Sequence, residues 1–320
     1  MKKTLLFAAA ATLSIALNAK VLLVENFDYT AGTPLTDCGW ISAYGGTSAT
    51  SVSNGLNFEG YAGCGIGNGA LINGKDGSNQ PHKAFEAQTS GTPIYIAFML
   101  NPYMVSKASY FLCLRDAASA TTFNFNARVF LNVQNQIGLS YCGGVNEAQF
   151  ADKILDNETT YLVVLKYIPV SGTKNDEIAL YVLDTFAATE PASPLLKTAN
   201  TTSGKNDDIY PENVVLRSNS ADDWISVDGI RVATTWSEAV AAGNCPTTAI
   251  TQPDNDKMAF YTEHNALTIE LQHSDKVAIF DATGKCVYQD NLPVGTHRFE
   301  LQNGFYVLKT TAQTHKVAVH

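Results

Sequence analysis

The first 255 residues are almost without histidine. Of six histidines in the 320-residue chain, only His82 precedes residue 260, and it stands in polar sequence, Ser78 to Lys83, that predicts an exposed loop. A Ser-His-Asp or Cys-His nucleophilic system, or a catalytic zinc ion with two or three histidine ligands, would need this one side chain. The scarcity of histidine therefore argues against both kinds of enzyme.

The cysteines lack the spacing of a metal site. No Cys-x-x-Cys pair occurs among the six, which argues against structural zinc. An oxidising compartment would allow disulfides, and Cys38 with Cys64 is the favoured pair because both stand in glycine-rich, loop-like sequence, although six cysteines allow many pairings. Cys113, inside the apolar run 110–114, has the alternative interpretation of a small buried hydrophobe.

Charge is sparse, and its balance is acidic. Only 16% of residues are charged and the net charge is −9 at pH 7, which makes nucleic acid a poor ligand because phosphate binding draws on clustered Lys and Arg. The Glu-x-Asp-x-Glu pattern by which some retaining glycosidases set two carboxylates on one strand face is absent. Glu25 and Asp28 are three apart and fall on opposite faces of a strand, and Asp176 and Glu177 are adjacent. We therefore predict no catalytic residue and no required cofactor.

Apolar runs long enough to span a membrane, about 20 residues, are also missing. Lys2 and Lys3, the apolar stretch 5–17 and the small residue Ala19 together fit a secretory signal peptide over residues 1–19. We expect export, with a mature chain that begins at Lys20 and carries no transmembrane segment.

Residues 20–242 are filled by short apolar runs of alternating pattern, separated by Gly, Asn and Asp turns. This pattern predicts an all-β domain, a sandwich or a barrel. A helical pattern is confined to 237–242, and the polar stretch 187–209 predicts a functional surface loop or a mobile insertion. The predicted strands are Val21–Phe27, Thr50–Phe58, Ala70–Ile72, Ile94–Leu100, Tyr110–Leu114, Phe123–Val133, Gln136–Ser140, Thr160–Tyr167, Glu177–Leu183, Asn213–Leu216 and Trp224–Val232.

The composition changes after residue 242. Residues 243–256 are rich in Pro, Thr, Asn and Asp and predict a linker. Residues 257–320 return to short alternating strands with turns at 281–284 and 302–304, which predicts a second and smaller β-sandwich of Ig-like type.

The C-terminal block also resembles a known family. The order Val277–Lys285, a turn at Gly295, Gly304–Lys309 and Lys316–Val319 is similar to the type A C-terminal sorting domain of the bacterial type IX secretion system. The resemblance implies that outer-membrane machinery recognises this domain, and that the rest of the chain reaches the cell surface or is secreted through the periplasm. Its motif residues here are Gly284, Lys285, Gly295, Gly304, Tyr306, Lys309 and Lys316.

The larger block resembles exported modules related to laminin-G and concanavalin-like jelly rolls. The resemblance is carried by Glu25–Leu35, Trp40, Asn54–Leu56, Gly65–Gly67, Tyr161–Tyr167, Asn175-Asp176 and Val227–Val232. It implies a jelly-roll β-sandwich over residues 20–242. This architecture serves lectins, polysaccharide-cleaving enzymes and plain interaction modules, so the resemblance leaves the activity open.

Two groups of residues are candidates for binding. Trp40, Tyr44 and Tyr61 lie among Gly, Ser and Thr, a composition suited to stacking on a sugar ring, with burial in the core as the alternative. Loop carboxylates suit calcium, with solvated surface groups as the alternative. These carboxylates are Asp207, Asp208, Asp222, Asp223 and Asp228.

The sequence thus favours a secreted or cell-surface binding module for a glycan or an extracellular protein. Two alternatives stay open, a polysaccharide-degrading enzyme of jelly-roll type and a structural component of a surface layer.

Overall fold

The chain forms two separate compact units, which divide between Thr247 and Thr248, inside the segment interpreted as a linker. A computed structural model describes residues 19–43, 50–73, 80–89, 91–116, 124–200, 210–218, 222–245, 259–263, 265–271, 273–311 and 314–319. Residues 1–18 of the predicted signal peptide lie outside the described residues, as does most of the predicted linker.

The large unit is built from two antiparallel sheets. The strands are β1 Val21–Glu25, β2 Ile41–Ser42, β3 Ser51–Ser53, β4 Gly69–Ile72, β5 Pro81–Ala84, β6 Ile94–Met104, β7 Ser109–Arg115, β8 Phe125–Leu131, β9 Gln136–Ser140, β10 Gln149–Ile154, β11 Tyr161–Ile168, β12 Glu177–Leu183, β13 Leu196–Ala199, β14 Asn213–Leu216 and β15 Trp224–Ala233. The eight-stranded sheet has the order β13-β12-β11-β6-β15-β4-β3, with β1 also paired to β15, and the seven-stranded sheet has the order β10-β9-β8-β7-β14-β5-β2.

Alternation along the strands places the core between these two sheets. On β6, Ile94, Ile96, Phe98 and Leu100 belong to one buried cluster, because residues two apart point to the same face of a strand. Phe111 on β7 meets Phe98 edge-on, with ring centroids 6.2 Å apart. The large unit is therefore a sandwich of the jelly-roll class, as predicted.

A second apolar layer covers part of the outer face of the eight-stranded sheet. Tyr95, Ala97 and Met99, the outward residues of β6, are buried in a cluster of their own. They are covered by the helix α1, Trp236–Val240, and by the loop that carries Tyr61. Helix α1 confirms the predicted helical turn. In the described part of the chain, no helix has the length and hydropathy needed to cross a membrane.

The strands that the sequence pattern does not predict are short or polar. β9, β12 and β14 match their predicted bounds, whereas β2, β5, β10 and β13 were not predicted. β13 lies inside the stretch 187–209, which is therefore not wholly an insertion.

β5 corrects the interpretation of His82. This side chain is buried on a strand, and both ring nitrogens lie 3.2–3.3 Å from Nη1 of Arg115. Burial and then the neighbouring guanidinium lower the pKa of His82, so the imidazole is a neutral structural group and not an exposed loop residue.

The disulfide also differs from the expected one. Cys64 is bonded to Cys245, and Cys38 is free. Cys113 is buried, which confirms its interpretation as a small hydrophobe. The bond adds to a set of backbone contacts, in which Gly243 N–H donates to Gly60 and Ala62 N–H donates to Ala241. The large unit thus extends at least to Cys245, beyond the predicted boundary at 242.

The C-terminal unit is a small sandwich of two antiparallel sheets, as expected. The strands are β16 Ala259–Glu263, β17 Ala266–Leu271, β18 Asp275–Asp281, β19 Cys286–Leu292, β20 Gly295–Glu300, β21 Gly304–Lys309 and β22 Thr314–Val319. The three-stranded sheet has the order β16-β17-β20 and the four-stranded sheet the order β19-β18-β21-β22. Leu267, Ile269, Ile279, Leu308 and Val317 are among the buried residues between the two sheets.

The predicted turn at 281–284 is present in this unit. Gly284 has φ +84°, and the Asp281 carboxylate accepts hydrogen bonds from the backbone N–H groups of Thr283 and Lys285. Gly295 has φ +132°, a conformation that favours glycine.

Removing the disulfide tests how the loop around Cys64 is held. Replacing both Cys64 and Cys245 by Ala should lower the free energy of unfolding by about 2–5 kcal/mol, because a cross-link between residues 181 apart in sequence limits the unfolded chain strongly. Urea unfolding measures this decrease in the free energy of unfolding. The exposed, unpaired Cys286 provides the control, since Cys286→Ala should leave stability unchanged. Equal stability of the double variant and the wild type would contradict this role.

Candidate functional site

A groove opens on the outer face of the eight-stranded sheet, where the second apolar layer ends. Its volume is about 640 Å³, within the range of small-molecule sites. The lining comes from β3, β4, β6 and β15, from the loop after β3 and from the turn before β11. The lining residues are Ser53, Asn54, Gly55, Leu56, Leu71, Asn101, Tyr103, Met104, Glu158, Trp224 and Ser226.

An exposed aromatic pair forms one wall of this groove. Tyr103 is 50% exposed and Trp224 is 44% exposed, and their ring centroids are 6.4 Å apart at an interplanar angle of 59°. Met104, opposite Trp224 in the ladder, is 43% exposed. Among the described residues of the large unit, no other aromatic side chain is exposed to this degree. Large apolar groups left in water at one place mark a binding surface.

The floor of the groove is a row of polar and apolar side chains across three strands. Ser226 on β15 is paired with Leu71 on β4 and with Asn101 on β6. Their neighbours in the same strands, Val227 and Leu100, point into the core, so alternation directs the row outward. The floor can therefore exchange hydrogen bonds through one amide and one hydroxyl.

The opposite wall is the loop Asn54–Leu56, which is tied to a buried carboxylate. Asp228, two residues after Ser226 on the same face of β15, accepts a hydrogen bond from Leu56 N–H at 2.7 Å and one from Gly229 N–H at 2.5 Å. A Cβ at Gly55 would lie 3.1 Å from the Gly67 carbonyl oxygen and 3.3 Å from Oδ2 of Asp228. The close approach of loop and carboxylate thus favours glycine at position 55.

Few ionisable side chains line the groove. Glu158 is the single ionisable side chain in the described lining, apart from Tyr103, and no Lys, Arg or His lines it. Behind the wall, burial raises the pKa of Asp228 to about 7, although the hydrogen bonds from Leu56 and Gly229 oppose the shift. The groove therefore suits a ligand without negative charge.

The aromatic trio proposed from sequence does not form this site. Trp40 is 2% exposed and Tyr61 is fully buried, and Tyr44 lies outside the described residues. Trp40 stacks on Phe27 with centroids 5.7 Å apart, and Tyr61 donates to the Gly229 carbonyl oxygen. This corrects the expectation, because rings packed in the interior offer no face to a sugar.

The carboxylates proposed for calcium are not brought together either. Asp207 and Asp208 lie outside the described residues, and Asp222 is exposed just before β15. Asp223 is buried and accepts hydrogen bonds from the N–H and hydroxyl of Ser106, both at 2.8 Å. Asp228 instead holds the groove wall, because it accepts the hydrogen bond from Leu56 N–H. Across the described ranges, no group of three His, Cys, Asp or Glu side chains is placed to hold a metal ion.

Glu25 is a second buried carboxylate with a structural task. It accepts hydrogen bonds from Phe27 N–H at 2.8 Å, from the Tyr29 hydroxyl at 2.9 Å and from the Trp40 indole N–H at 3.2 Å, and Lys83 Nζ lies 3.2 Å away. These contacts and its burial make Glu25 an anchor for the chain after β1.

Glu190 fastens the segment between β12 and β13 onto the outer sheet face. Its carboxylate accepts from the Tyr181 hydroxyl at 2.6 Å, from Lys166 Nζ at 2.7 Å and from the Tyr95 hydroxyl at 2.8 Å. Burial opposes ionisation, but these hydrogen bonds lower the pKa of Glu190. Burial and the Glu190 contact raise the pKa of both tyrosines, which argues against a tyrosinate nucleophile here.

Comparisons with known proteins add distant likenesses. No family model matches the chain, and no curated protein matches it in sequence. The globular domain of T. cruzi calreticulin is similar with a TM-score of 0.41 and 10% identity, over 69% of this chain and 90% of that chain. The carbohydrate recognition domain of Emp46p, in its potassium-bound form, has a TM-score of 0.36 and 10% identity, over 67% and 96%.

A Trypanosoma rangeli sialidase is similar with a TM-score of 0.36 and 9% identity, over 67% of this chain and 30% of the sialidase. Likenesses this distant decide neither a ligand nor a residue's role. The two antiparallel sheets of the large unit themselves define its fold, a jelly-roll β-sandwich.

The pH dependence of stability tests the environment of Asp228. Because burial raises its pKa from 3.8 to about 7 in the folded chain, its contribution to the free energy of unfolding is full below pH 3.8 and is lost as the pH rises to about 7. Asp228→Asn does not titrate. We expect the stability of the wild type relative to this variant to fall by up to about 1.4 kcal/mol per pH unit across that window. Urea unfolding at several pH values measures this, and a pH-independent difference would refute the buried-carboxylate account.

Proposed function

We propose that the large unit is a non-enzymatic binding module that takes an uncharged saccharide in the groove between Tyr103, Trp224 and the loop Asn54–Leu56. One observation carries the proposal, the exposed aromatic pair beside a polar floor. A pyranose ring presents C–H groups on its faces and hydroxyl groups on its rim, so it needs an aromatic surface and hydrogen-bonding side chains together.

The charges of the groove support an uncharged ligand. An acidic glycan would require a cation in the site, and the described lining has none. Glu158 and Asn101 can accept or share hydrogen bonds from sugar hydroxyls.

A hydrolytic function is less well supported. Retaining and inverting glycosidases require two carboxyl groups across the scissile bond, whereas Glu158 is the one carboxylate in the described lining. A protein ligand, the alternative, would need a contact area much larger than that of one groove.

Truncating the aromatic wall tests the proposal. Trp224→Ala and Tyr103→Ala should each weaken binding of the recognised glycan by about 10- to 100-fold, because each removes about 1.5–3 kcal/mol of apolar contact. A glycan array with neutral and acidic oligosaccharides finds the ligand, and calorimetry measures the loss.

Phe305→Ala is the matched control, since this ring is 71% exposed on the C-terminal unit and lies outside the groove. Binding to no glycan, or full binding by both groove variants, would reject the site. Turnover of a bound glycan would favour the enzymatic alternative.

For the C-terminal unit, the proposed function is delivery through the type IX secretion system to the cell surface or the medium. Support comes from the sequence resemblance and from the separate core of this unit. The motif residues Gly284 and Gly295 hold turns, and the Tyr306 hydroxyl donates to the Gln302 carbonyl oxygen at 2.9 Å. The side chains of Lys309 and Lys316 are exposed.

Deletion tests this role. Removal of residues 256–320 should leave the large unit folded but trapped in the periplasm of the producing cell, because the chain would lack its sorting domain. Fractionation with immunoblotting measures the distribution. Normal surface display or release of the truncated chain would exclude a sorting role.

A further inference from the structure

The outer face of the four-stranded sheet in the C-terminal unit combines apolar and cationic side chains. Its inner face supplies Val277, Ile279, Leu308, Val317 and Val319 to the core. Alternation therefore turns the intervening residues of β18, β21 and β22 outward. We call them the lysine face, which consists of Lys276, Ala278, Phe280, Phe305, Val307, Lys309, Lys316 and Ala318.

The strand register fixes the arrangement of the lysine face. Phe280 is paired with Val307, and Val307 with Lys316. Ala278 is paired with Lys309, and Phe305 with Ala318. The apolar side chains thus lie side by side at the centre, with ammonium groups on the surrounding positions.

Two features of this face suit a docking partner. Phe305 is 71% exposed, the largest exposure among the large apolar side chains described. A depression of about 300 Å³ opens on the same sheet, and its lining includes Lys276, Lys309, Ala278 and Phe280. A projecting aromatic ring and a shallow cavity on one sheet are features that the surface of a protein partner can match.

The lysine face is basic, whereas the chain as a whole is acidic. The sequence carries 30 acidic and 21 basic residues, yet the lysine face has three lysines and no acidic side chain. No ion pair is described for Lys276, Lys309 or Lys316. Their charges are therefore available to an acidic partner, since opposite potentials across an interface give specificity and speed of association.

We infer that the lysine face is the surface by which the export machinery receives this unit, and that the receiving protein presents acidic side chains around an apolar pocket for Phe305. This inference rests on the proposed delivery function and adds the surface and the chemistry of its partner. Phe305 supplies apolar contact at the centre, while the lysines set orientation and select against basic surfaces.

Charge reversal in the full-length chain tests the inference. The triple variant Lys276→Glu, Lys309→Glu, Lys316→Glu should reduce surface-displayed or released protein at least tenfold, with accumulation in the periplasm. The matched triple variant with Arg at the same positions keeps the charge and should be exported within about twofold of the wild type. Cell fractionation with quantitative immunoblotting provides the readout.

Phe305→Ser is the second variant, because this side chain is outside the core and its loss should not unfold the unit. We expect the same export defect, with a thermal unfolding midpoint close to that of the wild type. Val294→Ser, at a site 62% exposed outside the lysine face, is the control for loss of an exposed apolar group and should be exported normally.

The outcomes separate the two proposals. If deletion of residues 256–320 does not impair export, the delivery function itself fails. If the deletion traps the chain but the Glu triple variant and Phe305→Ser are exported normally, the delivery function stands and the lysine face is not its docking surface. Should the Glu triple variant fail to fold, export of Phe305→Ser decides the matter in the same way.

Discussion

The pairing of β6 with β15 at the centre of the eight-stranded sheet is the constraint on which the large unit depends. One face of this pair supplies Phe98, Leu100 and Val227 to the core. The other face carries Tyr103, Trp224, Ser226 and, further along, the buried carboxylate of Asp228. A shift of register by one residue would exchange the two faces and remove core and groove together.

Buried and partly buried carboxylates hold the irregular segments of the large unit. Asp228 fixes the loop Asn54–Leu56, Glu25 fixes the chain after β1, and Glu190 fastens the segment after β12. Each carboxylate accepts hydrogen bonds mainly from its own loop and sheet, which offsets the cost of burying it. The disulfide between Cys64 and Cys245 adds a covalent tie to the same outer face. Rigid walls of this kind keep a binding groove formed before its ligand arrives.

Sequence patterns predicted the parts of the fold that depend on local alternation. β9, β12 and β14 have the predicted bounds because each is a short, mostly apolar run with polar or turn-forming residues on both sides. The sequence does not reveal the groove, because the predicted strand ends at Leu100, whereas β6 continues to Met104 beside a register shift between Trp224 and Ile225. Local composition does not reveal that Tyr61 is buried, because its hydrogen-bond partner Gly229 is 168 residues away in sequence.

The three tryptophans of the chain provide the most direct test of the central claim, that an exposed aromatic wall on the outer sheet face binds saccharide. The indole N–H groups of Trp40 and Trp236 are hydrogen-bonded in the interior, to Glu25 and to the Ala187 carbonyl oxygen, whereas Trp224 lines the groove. Titration of the ¹⁵N-labelled protein with its glycan should shift the indole resonance of Trp224 and leave the other two in place. A shift of Trp40 or Trp236 with Trp224 unmoved would contradict the account.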